Sequence, residues 1–64
     1  MAIVQVITTR NNGEVISFNR VLPNNWQETI KQSTKRFDFA YAILDDNTLL
    51  IKASGLRQVN EIVG

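Results

Sequence analysis

Residues 3 to 9 read IVQVITT, RNNG follows, and the chain resumes as EVISFNRVL, two extended apolar-polar runs around a strong turn signal. Asn12-Gly13 tolerates the positive φ that a two-residue type I′ turn needs, so these runs predict a β-hairpin. A turn at that dipeptide sets Thr9 opposite Ile16, Ile7 opposite Phe18 and Ile3 opposite Leu22. One face then carries Ile3, Ile7, Ile16, Phe18 and Leu22, and the other Val4, Val6, Ser17, Asn19 and Val21. The first set is bulkier and is expected to form the core.

Pro23 and two asparagines end the extended pattern, and WQETIKQSTKR follows. Trp26, Ile30, Ser33 and Phe37 recur at steps of four, three and four residues, which predicts a helix with a narrow apolar stripe. Asn25 and Glu28 have the spacing of a capping box. Trp26 is expected to anchor the core at the helix start.

The segment FDFAYAILDDNTLLIKAS predicts a second hairpin turning at Asp46-Asn47. A two-residue turn there pairs Leu44 with Leu49, Ala42 with Ile51 and Ala40 with Ala53 on one face. Small alanines suit a face against which a helix lies close. Phe37, Phe39, Tyr41, Ile43, Leu50 and Lys52 then share the opposite face. Gly55 interrupts the strand, and LRQVNEIV spaces Leu56, Val59, Ile62 and Val63 as a short helix, with Ser54 available as its cap.

These elements predict one small α+β domain over residues 1–64. Its order is ββαββ followed by a short helix, with four mostly antiparallel strands and the main helix packed on one face. Strands 1 and 4 are strongly apolar and belong at the centre of the sheet, away from its edges. That order of elements is β-grasp-like.

Composition narrows the chemistry. The 64 residues contain neither cysteine nor histidine. Ser/His/Asp and Cys/His catalytic arrangements therefore have no members, and thiolate or imidazole zinc sites have no ligands. Asp45 and Asp46 are adjacent, but a turn explains them more simply than a hard-cation or catalytic pair. The three glycines, at 13, 55 and 64, form no phosphate-binding loop. The expectation is a non-enzyme with no cofactor. The N-terminal residues have no signal-peptide pattern and no apolar run reaches membrane-spanning length, so a cytoplasmic protein with no membrane partner is expected.

Ordering the chain costs roughly 1.5 kcal/mol per residue, which apolar burial at about 25 cal/mol per Å² barely offsets in so small a domain. A sheet face bearing Phe37, Phe39, Tyr41, Ile43 and Leu50, with Lys52 beside them, is more than the two-turn C-terminal helix can hide alone and is therefore expected to be covered by a second copy or another protein, the alternative being that this helix folds over it. The predicted function is protein binding, as a homodimer or as a regulator or inhibitor of another protein. The alternative is nucleic-acid binding through Arg20, Lys31, Lys35, Arg36 and Lys52 with the sheet aromatics as a stacking platform. A formal net charge of +1 gives that alternative no long-range attraction to a polyanion.

Overall fold

A computed structural model describes all 64 residues, Met1–Gly64. Six elements follow in the order β1 (Ala2–Thr9), β2 (Val15–Leu22), α1 (Trp26–Ser33), β3 (Ala40–Asp45), β4 (Thr48–Lys52) and α2 (Leu56–Val63). The four strands form one mixed sheet in the order β2-β1-β4-β3. Each hairpin is antiparallel, and the two meet through a parallel β1–β4 pairing at the centre. This is the small α+β architecture and β-grasp-like order that the sequence predicts.

Both hairpin registers differ from prediction by one residue. In the first, Thr9 pairs with Val15, Val6 with Phe18 and Ala2 with Leu22. The loop is longer by one residue than a two-residue turn: Gly13 donates its N–H to the Arg10 carbonyl and Arg10 donates to the Glu14 carbonyl. Gly13 has φ of +89°. A glycine of positive φ closing a three-residue loop is the arrangement of a G1 bulge. An Arg10–Glu14 ion pair of 3.6 Å spans its base.

The slip inverts β1, because successive strand residues face opposite sides of the sheet. Val4, Val6 and Thr8 point into the core, and Ile3 is 63% exposed on the other side. Strand β2 keeps its expected orientation, with Leu22 buried and Ile16 and Phe18 half-buried on the core side.

In the second hairpin the turn lies where predicted, with Asp45 paired to Thr48 across Asp46-Asn47. An irregularity between Ile43 and Asp45 then shifts the register, so that Ile43 pairs with Leu49, Ala42 with Leu50 and Tyr41 with Ile51. Leu49 and Ile51 face the core as expected, while β3 is inverted. Tyr41 lies on the helix side and Ala40 and Ala42 lie on the open side.

Helix α1 is shorter than its apolar stripe suggests. It ends at Ser33, after which Thr34, Lys35 and Arg36 each donate to the carbonyl three residues back. The tighter turns carry the chain on to Phe37, whose ring packs against the core. The predicted capping box does not form, because the Asn25 side chain makes no cap hydrogen bond. The Asn25 carbonyl instead accepts from the amides of Glu28 and Thr29. At α2 the Gln58 side chain reaches back to accept from both the amide and the hydroxyl of Ser54. Ser54 thus donates here and does not cap the helix as an acceptor.

Both helices pack on the same face of the sheet. Trp26 and Ile30 from α1, and Val59, Ile62 and Val63 from α2, form one cluster with Val4, Val6, Leu22, Leu49 and Ile51. Phe18, Phe37, Phe39 and Tyr41 pack around its margin. Within this apolar interior the Thr8 hydroxyl is buried without a hydrogen-bond partner. A buried, unsatisfied hydroxyl costs roughly 1–3 kcal/mol. Thr8→Val retains the branched shape and is expected to stabilise the fold by about 1 kcal/mol, read as a higher urea midpoint with unchanged slope.

Candidate functional site

With both helices on one side, the opposite face of the sheet has no cover. It is built by the alternate residues of four strands: Val15, Ser17, Asn19 and Val21 from β2, Ile3, Gln5, Ile7 and Thr9 from β1, Thr48, Leu50 and Lys52 from β4, and Ala40 and Ala42 from β3. Val15, Val21 and Leu50 are exposed, like Ile3. The paired positions arrange these side chains in rows across the strands. Ile3 lies beside Val21 at one end. Next comes the polar row Asn19, Gln5 and Thr48, then Ser17, Ile7, Leu50 and Ala42. Apolar contact area is thus interrupted by hydrogen-bonding groups, the mixed composition of an associating surface.

The two ends of this face differ in charge. Near the β3–β4 turn, Ile3, Gln5, Asn19, Asp45, Asp46, Asn47 and Thr48 line a wide polar depression. The Asn47 amide donates to the Asp45 carboxylate at 2.8 Å. That bond, and after it one from the Thr48 hydroxyl, hold the Asp45 carboxyl below its usual pKa. Asp45 therefore stays ionised at any pH near neutrality. Asn47 also ties the turn to β1: its side-chain amide donates to the Ile3 carbonyl at 3.0 Å, and its own carbonyl accepts from the Gln5 amide at 2.8 Å. These bonds set the parallel register of β1 and β4 at its start. At the far end of β4, Lys52 borders a shallow groove of about 210 Å³ with Ala40, Tyr41, Ala42 and Leu50. The groove exists because two alanines stand where larger side chains would fill the sheet surface.

The predicted interface set does not share one face. Leu50 and Lys52 lie on the open side. Phe37, Phe39 and Tyr41 belong to the helix side, where the Phe39 and Tyr41 rings sit 5.9 Å apart at the core margin. Ile43 is also on that side but beyond the reach of the helices, 39% exposed at the sheet border. The correction follows from the irregularity after Ile43, which exchanges the two faces of β3. The slips in β1 and β3 likewise hid Ile3, Ala40 and Ala42 as open-face residues, whereas Val21, on the correctly oriented β2, lies opposite the core as expected.

The predicted basic set is likewise dispersed. Arg20 is half-buried on the helix side, donating to the Asn60 side-chain oxygen at 2.6 Å and standing 5.0 Å over the Phe18 ring. Its Nε is buried without a partner. Arg36 lies 5.5 Å over the Phe37 ring, and Lys31 is exposed on α1, with Lys35 exposed just beyond it. Lys52 is on the other face. No sheet surface combines the aromatic rings with this set of cations.

No group of three or more carboxylate, histidine or cysteine side chains gathers with metal-holding geometry, and no helix is long and apolar enough to cross a membrane. No family model matches the chain, and no curated protein or solved structure shows significant similarity to it.

Proposed function

We propose that this protein is a small, non-enzymatic binding module of the cytoplasm that regulates or inhibits another protein by taking it against the uncovered face of the sheet. The observation that supports this reading is the placement of both helices on one side. The bare opposite side carries Ile3, Val21 and Leu50 among the uncharged polar groups Gln5, Asn19 and Thr48. Apolar groups spaced by hydrogen-bonding ones suit a protein surface of similar mixture better than a lipid or a polyanion.

Photo-crosslinking tests the proposal directly. A photoreactive phenylalanine analogue at Leu50 or Val21, in the cells that make the protein, is expected to give discrete protein adducts. The same analogue at Lys35, on the opposite side, is expected to give none. Adducts confined to Lys35, or adducts removed by nuclease, would overturn the proposal.

A further inference from the structure

The two borders of the sheet are not alike. Strand β2 carries a guanidinium, Arg20, in its second half, whereas β3 reads AYAILD with no charge before its last residue. Every second residue of an edge strand turns its N–H and C=O away from its only neighbour. None of the backbone hydrogen bonds outside the regular elements reaches Ala40–Leu44. The edge is also uncharged, unlike most natural borders, which carry lysine or proline to discourage pairing.

We propose that β3 pairs antiparallel with β3 of a second copy, about a two-fold axis at Ala42, to make one continuous eight-stranded sheet with all helices on one side. This goes beyond the open-face proposal and uses a different surface. Three features of the strand are self-complementary under that operation. Ala42 meets Ala42 of the second copy, and side chains this small let the strands approach without obstruction. On the helix side Tyr41 comes opposite Ile43 of the second copy, covering the apolar side chain that the helices leave bare. On the open side Ala40 meets the irregularity before Asp45 of the second copy. Lys52, paired with Ala40 on the inner side, then stands about 10 Å, or two strand spacings, from that aspartate. Extended lysine and aspartate side chains bridge this span, and Ala40 leaves the space above the strand free for them. The operation repeats every contact, as a closed two-fold interface requires.

The test combines molar mass in solution with amide exchange. The wild-type chain is expected to approach twice 7.3 kDa as its concentration rises, with exchange at Ala40–Leu44 slowing in step. Ala42→Lys and Ala42→Glu are each expected to raise the dimer dissociation constant roughly tenfold or more, because like charges meet at the axis. Mixing the two variants is expected to restore a mixed dimer. Ile43→Lys, whose side chain lies off the open face, is expected to give a folded monomer that still crosslinks through Leu50.

A wild-type monomer up to about 1 mM would overturn the inference, as would a dimer whose β3 amides exchange at the monomer rate. A dimer that survives Ile43→Lys but dissociates on Leu50→Lys would also overturn it, by placing the second copy on the open face. Loss of crosslinking from Leu50 alone strikes the open-face proposal and leaves this one standing.

Discussion

Val4→Lys is expected to leave no folded population at 25 °C, whereas Ile3→Lys, one residue away, should keep its fold and change stability by no more than about 0.5 kcal/mol. Val4 is fully buried in a central strand beneath both helices. An ammonium there has no anion to pair with, and the desolvation of an unpaired charge costs several kcal/mol even after relaxation. A small domain has a total stability of roughly 3–5 kcal/mol, so the charge exceeds what the fold can absorb. At Ile3 the side chain points to solvent beside the depression that Asp45 and Asp46 line, and a lysine there is hydrated and weakly attracted. Far-ultraviolet circular dichroism with urea titration of both variants checks the pair. A stable Val4→Lys beside an unfolded Ile3→Lys would show that β1 faces the other way.

Trp26→Ala should be nearly as severe, with a loss of about 3–5 kcal/mol. The indole is 1% exposed at the start of α1 and lines a cleft with Leu22, Ile62 and Val63. It therefore fills the junction where α1, the end of β2 and α2 meet, and its removal leaves a cavity that three elements must collapse to close. The neighbouring Ile30 cannot move into that space without leaving its own site over the sheet. Trp26→Phe should recover part of the loss by filling part of the volume. Urea unfolding of the two variants against wild type measures both effects, and a Trp26→Ala cost below about 1 kcal/mol would mean that the helices are not packed through this residue.

The element types, their order and the central place of β1 and β4 were legible because periodicity and turn residues act locally. Facing was legible in only half of the strands. Strands β2 and β4 were oriented correctly and β1 and β3 inverted, as a one-residue slip in each hairpin requires. In β1 the alternatives were Ile3 with Ile7 or Val4 with Val6, and hydrophobicity does not separate them. Gly13 suits a type I′ turn and a G1 bulge equally well, so the turn residue was silent too. The cross-loop pair Arg10 and Glu14, opposite in charge and five residues apart inclusive, was the available sign of the longer loop. In β3 nothing in AYAILDD marks the irregularity after Ile43. The bond from Arg20 to Asn60 joins residues 40 apart, a pairing that no local spacing could announce.

The parallel contact between β1 and β4 also governs how the domain bears load. Tension applied between Ala2 and Lys52 draws these two strands past each other lengthwise, because one is gripped at its first residue and the other at its last. The hydrogen bonds joining them are then stressed together, and none can open ahead of the rest as in an unzipping hairpin. The centre of the sheet is thus a shear clamp, and Asn47, bonded to both Ile3 and Gln5, is the pin at its lower end.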